Sequence, residues 1–187
     1  MTRILSVIFF SFFIIISCTK KEPQKEIKLE PDEIGKKYYQ EGIVAMETGD
    51  FFYASKIFSD AETNFLNIEM AAKSSILSSY SFYRINFYEE SSQNLKRFIR
   101  TYPASNYIPY ANYLLAIISF EQILDEKRDL KPTRESKKLI LEYLEKFPDT
   151  EYALDLKFKL DLVNNQLAAK EMYVARYYIK TKKWIPA

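Results

Sequence analysis

The sequence predicts an all-α fold: a solenoid of antiparallel helical hairpins, about three and a half repeats long and incomplete at its C-terminal end. Three observations predict it. Apolar and aromatic residues recur at helical spacing from about residue 34 onward. Two aromatic-proline steps, Tyr102-Pro103 and Phe147-Pro148, each close a helical pattern. No segment alternates apolar and polar residues between turn signals, so no strand is expected. Within the helical part, small residues fall where two helices must touch and large ones where they fill the space between, which is the tetratricopeptide-like pattern.

Residues 1–17 stand outside that pattern. Arg3 supplies a positive start, and Ile4 to Ile16 is an apolar run of thirteen residues, where a membrane-spanning helix needs about twenty. The run therefore reads as the apolar core of a secretory signal peptide. Cys18, the one cysteine of the chain, follows directly. Ile15-Ile16-Ser17-Cys18 resembles a bacterial lipobox, in which the cysteine is lipidated and becomes the first residue after cleavage; the alternative is an unlipidated thiol after an ordinary signal peptide. Each buried CH₂ contributes ~0.8 kcal/mol, so one acyl chain binds marginally and several hold firmly. Thr19 stands where inner-membrane lipoproteins carry a retaining Asp, which favours the outer membrane, periplasmic face. Residues 18–31 are polar, with Pro23 and Pro31, and read as a lipidated flexible tether with a span of roughly 20 Å; the alternative is an ordered arm.

The repeat domain is expected over 32–187. In the first repeat, near 34–66, Tyr38, Gly42, Gly49, Phe51, Ala54, Phe58 and Ala61 fall in register, with Gly49-Asp50 as the turn. In the second, near 71–103, Phe82, Tyr88, Ser91, Leu95 and Phe98 take the equivalent places; Ser91 lies 37 residues after Ala54, against a usual period of about 34. The third, near 108–148, has Tyr113, Ala116 and Phe120, then Ser136, Ile140 and Tyr143. Its 45-residue offset accommodates an inserted loop at Asp125–Asp129, with Pro132 in the next helix's first turn. Ser105 or Asn106, and Asp149 or Thr150, are candidate caps. From Glu151 to about Lys180 there is no Gly or Pro, which predicts one long helix, or two joined by a bend. A partial fourth repeat, 170–187, would open a second helix at Trp184 and Ala187. A repeat cut between its helices leaves an apolar face unburied, so the 187 residues are expected to be an incomplete version of a longer chain.

Composition narrows the chemistry. Net charge is +2 with both signs interspersed, and histidine is absent. No clustered basic patch marks a nucleic-acid surface. The usual general base near neutral pH is missing, and acylation of Cys18 would remove the thiol nucleophile. No enzyme activity, metal or cofactor is expected beyond the covalent lipid on Cys18. Glu89-Glu90, Asp125-Glu126 and Glu142/Glu145 read as solvated helix-surface carboxylates. Asp125, Glu126 and Asp129 lack the glycine and terminal glutamate of a calcium loop. Lys96, Arg97 and Arg100 read as a solvated basic face, or alternatively as a contact for an acidic partner.

What stands out is a 16% aromatic content, mostly Tyr and Phe. First helices of such repeats line the concave face. Register places Tyr39, Ile43 and Met46, then Ile76, Tyr80 and Tyr83, then Tyr110, Tyr113, Ile117 and Phe120 along it. Such a groove suits an extended peptide ending in an aromatic residue; the alternative for any one of these residues is inter-repeat core.

The ordered set Arg97-Phe98-Ile99-Arg100-Thr101-Tyr102-Pro103, Phe147-Pro148-Asp149-Thr150-Glu151-Tyr152-Ala153, and Leu167-Ala168, Glu171, Val174-Ala175, Tyr177-Tyr178, Trp184 resembles the BamD (ComL) family of outer-membrane assembly lipoproteins. The resemblance covers roughly residues 30–187. It implies a five-repeat superhelix tethered to the periplasmic face of the outer membrane. It also implies binding to the β-barrel insertase and smaller lipoproteins, and N-terminal repeats that receive a C-terminal signal of unfolded barrel proteins. Against the family's five repeats this sequence lacks the second half of repeat four and all of repeat five. In the family the insertase-binding surface lies towards the C-terminal half. A different periplasmic repeat lipoprotein, for example one coordinating cell-wall enzymes, is the competing function.

Overall fold

A computed structural model describes residues 30–123 and 129–183. Among them are seven α-helices and no strand: α1 Pro31–Glu47, α2 Phe51–Asn64, α3 Ile68–Arg84, α4 Tyr88–Thr101, α5 Ile108–Glu121, α6 Lys131–Lys146 and α7 Glu151–Lys180. Each helix packs chiefly on the next in sequence, and α5 also reaches α3 and α7. This is the nearest-neighbour packing of a hairpin solenoid.

The turns follow from local chemistry. Gly49 sits at φ +83°, a conformation that costs a residue with a Cβ. Asp50 then accepts the Tyr53 amide at 3.0 Å and starts α2. Asn67 starts α3 by accepting the amides of Glu69 and Met70 at 2.9 and 3.1 Å. Proline occupies the first turn of α5 and of α6. The helices α4 and α6 end at Thr101 and Lys146, two residues before Pro103 and Pro148, because a proline disfavours helical backbone in the residue ahead of it. Of the candidate caps, Ser105 accepts the Tyr107 amide at 3.2 Å, ahead of α5. Thr150 flanks α7, but its hydroxyl turns back to the Phe147 carbonyl and the Tyr143 hydroxyl.

The core is three successive clusters. The first centres on Ala54, Phe58, Ala61 and Phe65, the second on Leu95, Phe98, Leu114 and Ile118, the third on Ile140, Tyr143, Leu156 and Val163. Fully burying one such large side chain contributes about 2–3 kcal/mol. The predicted small positions Ala54, Ser91 and Ser136 are all fully buried. Gly42 lets α1 close on α2: a Cβ there would stand 2.7 Å from the Phe58 ring. Packed on both sides, α3 buries five serines, 74, 75, 78, 79 and 81. Ser78 donates to the Ser55 carbonyl of α2 at 2.7 Å, and Ser91 of α4 donates to the Ser79 carbonyl at 2.8 Å. These bonds cross-stitch neighbouring helices.

The stretch from Glu151 to Lys180 is one continuous helix of 30 residues, about 45 Å long. Only Ala153, Leu156 and Val163 on it are buried. Arg97 corrects an expectation: although 41% of its side chain meets solvent, it is committed within the fold to a carboxylate of α2. Its guanidinium grips Glu62 of α2 through two bonds of 2.6 Å and reaches Ser75 Oγ at 3.2 Å, while Tyr102 donates to the same carboxylate at 2.9 Å. The signal peptide, Cys18, the tether through residue 29, the loop at 124–128, and Trp184 and Ala187 lie outside the described residues.

Candidate peptide-binding groove

The C-terminal end of α1, the middle of α3, the start of α5 and the first turn of α7 converge on one open concavity of about 660 Å³. Its walls are Met46, Ile76, Leu77, Tyr80, Tyr107, Pro109, Tyr110 and Tyr152, with Asn106, Thr150 and Glu151 at the polar margin. Four of the sequence-predicted groove residues, Met46, Ile76, Tyr80 and Tyr110, line it together.

A tyrosine ladder borders this concavity. Tyr80 neighbours Tyr83 at 6.3 Å between ring centres, Tyr110 neighbours Tyr113 at 6.3 Å, and Tyr113 stacks on Tyr152 at 4.6 Å. Each outer hydroxyl is held by a carboxylate. Tyr83 and Tyr88 donate to the two oxygens of Glu121, both at 2.7 Å, and Tyr113 donates to Asp155 at 2.9 Å. Burial first, and then these carboxylates, push the Tyr83 and Tyr113 hydroxyls above the usual tyrosine range. Tyr110 is pushed up as well, by burial and then by Tyr80 and Tyr152. The hydroxyls of Tyr83, Tyr110 and Tyr113 are therefore uncharged at neutral pH, and the ladder presents apolar rings with hydroxyl tips.

Tyr39 is a correction. It is buried in the first core cluster, edge-on to Phe58 and Phe65, with the Lys73 ammonium of α3 over its ring. Phe58 and Phe65, with Lys73 of α3, cover this level of α1, so the groove begins about two turns later, at Met46. Ile117 is likewise core, packed with Ile140 and Tyr143. Phe120 faces a different cleft of about 620 Å³, shared with Leu162 and Val163. Register missed Tyr107, which precedes α5, and Tyr152 on α7, because both enter the groove from outside the predicted first helices. Tyr152 lay in the Phe147–Ala153 stretch singled out in the sequence. Register also missed Arg84, one helical turn beyond Tyr80, whose Nη1 donates to the Tyr80 hydroxyl at 3.0 Å.

Among the described residues no group of His, Cys, Asp and Glu could hold a metal ion, and no helix is long and apolar enough to cross a membrane. Shape and surface chemistry are what the concavity offers: an open trough walled mainly by aromatic and aliphatic side chains.

The family model described as YfiO, outer membrane lipoprotein, matches residues 31–187, nearly all of the helical region. The chain belongs to this family. Similar proteins carry the name outer membrane protein assembly factor BamD. The one from Caulobacter vibrioides is 34% identical over 167 residues, covering 89% of this chain and 54% of that protein. The one from Rickettsia prowazekii is 31% identical over 182 residues, covering 97% and 71%. The one from Neisseria gonorrhoeae is 25% identical over 197 residues, covering 100% and 74%. The chain thus spans between about half and three quarters of the length of these BamD proteins.

Proposed function

We propose that this chain is a lipid-anchored scaffold subunit of the machinery that assembles β-barrel proteins in the outer membrane. On this reading it works by holding partners, not by catalysis. The observation that carries the proposal is the aromatic concavity shared by α1, α3, α5 and α7. Membership of an outer-membrane lipoprotein family supports it. In this reading Cys18 carries the lipid and holds the chain at the periplasmic face of the outer membrane. The partners are the β-barrel insertase, accessory lipoproteins, and unfolded barrel proteins, whose C-terminal signal lies along the groove. Such a signal is extended, with apolar or aromatic residues on alternate positions. Alternate side chains would reach the wall formed by Tyr80, Tyr110 and Tyr152.

Affinity purification of the full chain from detergent-solubilised membranes tests the assembly role. The insertase is expected in the eluate, and recovery of cell-wall enzymes without it would overturn the proposal. For the groove, Tyr80→Ala combined with Tyr110→Ala is expected to weaken binding of a C-terminal barrel-protein peptide by tenfold or more, about 1.4 kcal/mol. Fluorescence anisotropy reads it, and unchanged affinity counts against the groove.

A further inference from the structure

Arg84 is a held cation without a counter-ion. Its guanidinium carbon lies 4.3 Å from the centre of the Phe51 ring and 5.8 Å from that of Tyr80. One nitrogen donates to the Tyr80 hydroxyl at 3.0 Å. Three contacts thus fix a side chain that is otherwise exposed. Among the described residues the ion pairs are Arg97–Glu62, Lys138–Glu142 and Lys159–Asp155, and none involves Arg84. A guanidinium has five donors in a rigid fork that matches a carboxylate. Here one donor is committed. The Tyr80 hydroxyl accepts that bond and keeps its own proton to donate.

Tyr80 also lines the groove, so the bond to its hydroxyl sets the Arg84 guanidinium beside the aromatic wall. The groove is electrically lopsided. Its α7 margin carries Glu151, which already compensates the N-terminal dipole of that helix and repels a second anion. A negative group on a bound segment is therefore drawn to the Arg84 end. A chain terminus puts its carboxylate within one residue of its last side chain. That matches a cation bonded directly to an aromatic residue of the wall.

The geometry points to Arg84 and the Tyr80 hydroxyl as the anchor for the terminal carboxylate of a peptide whose aromatic side chains fill the groove. This rests on the groove reading above and adds its polarity: the segment lies with its C-terminus at α3 and its upstream residues towards α7.

The test uses the full chain in detergent and a short fluorescent peptide of alternating apolar residues ending in phenylalanine, prepared with a free C-terminus and as the C-terminal amide. The free acid is expected to bind about tenfold more tightly than the amide, the worth of a charge-assisted hydrogen-bonded contact. Arg84→Gln is expected to erase that preference, bringing the free acid down to the affinity of the amide. Arg84→Lys is expected to keep part of the preference, because charge remains while the fork is lost. If the wild-type chain binds acid and amide equally, the groove stands and the anchor is wrong. If Arg84→Gln weakens both peptides alike, Arg84 only packs on Phe51, and the anchor is again wrong. If neither peptide binds the wild-type chain, the groove reading falls and the anchor with it.

Discussion

Glu62 keeps its carboxylate where only 7% of its side chain meets solvent, and it does so because three donors converge on it: both terminal nitrogens of Arg97 and the hydroxyl of Tyr102. Removing Arg97 would strand a desolvated charge. The Arg97 side chain is itself 41% exposed, so solvent screens part of the loss. Arg97→Ala is expected to cost about 2 kcal/mol, less than the ~4 kcal/mol of a fully enclosed pair. Arg100→Ala, on an exposed side chain of the same helix, should stay within about 0.5 kcal/mol. Urea unfolding compares the two, and equal midpoints would refute the clamp. None of this was legible in the sequence, where Arg97 stands among basic residues and its partner lies 35 positions earlier. Serines give a second contrast. Ser78 donates to α2, whereas the buried Ser136 Oγ has no hydrogen-bond partner among the described residues. Ser78→Ala is expected to destabilise by about 1 kcal/mol, and Ser136→Ala to be neutral or stabilising by up to about 1 kcal/mol. The same unfolding assay reads the opposite signs.

Between elements, the fit of one helix against the next decides stability. Gly42 admits the Phe58 ring so closely that Gly42→Ala must push it away, at an expected cost of about 2 kcal/mol. Phe58→Leu in the same chain should make the alanine less costly, because the crowding Cε1 and Cζ atoms are gone; strictly additive costs in the double variant would reject direct crowding. Along α7, Leu156 is fully buried in the third cluster while Leu154 is 75% exposed. Leu156→Ala is expected to cost about 3 kcal/mol and Leu154→Ala less than about 0.5 kcal/mol. The helical-hairpin fold and the breaks at Gly49, Pro103 and Pro148 were legible because Gly, Pro and the small-large pattern act locally, whereas the α3–α4 turn, with Asn86 at φ 62°, carries neither Gly nor Pro. The faces were less so. Tyr39 and Met46 share one side of α1 by spacing, yet Phe58, Phe65 and Lys73 cover the first, while the second lines the groove. Only the angle at which the next hairpin docks separates core from groove there, and no local signal encodes that angle.

Over the whole molecule, the aromatic content couples the repeats through hydroxyls that must stay protonated. Tyr102, on the α4–α5 connection and bonded to Glu62 of α2, is pushed up to about 12, by burial first and then by that carboxylate. Tyr83, Tyr110 and Tyr113 are raised too, burial being the largest cause for each. In the unfolded chain tyrosine titrates near ~10. Between that value and the folded one the native state binds more protons than the unfolded state, so stability falls as pH rises. The contribution is fully present below pH ~10 and is lost as pH climbs through about 12. Because these side chains lie on α3, the α4–α5 connection and α5, and each repeat is stable only against its neighbours, the loss should register as one cooperative shift of the unfolding midpoint. Tyr102→Phe removes one of the titrating groups together with its bond to Glu62. That variant is expected to be less stable than the wild type near neutral pH and to lose less further stability between pH ~9 and pH ~11.5. Urea midpoints measured across that range give both slopes. Parallel slopes would show that Tyr102 carries none of the alkaline sensitivity and would place it on the remaining ladder of Tyr83, Tyr110 and Tyr113.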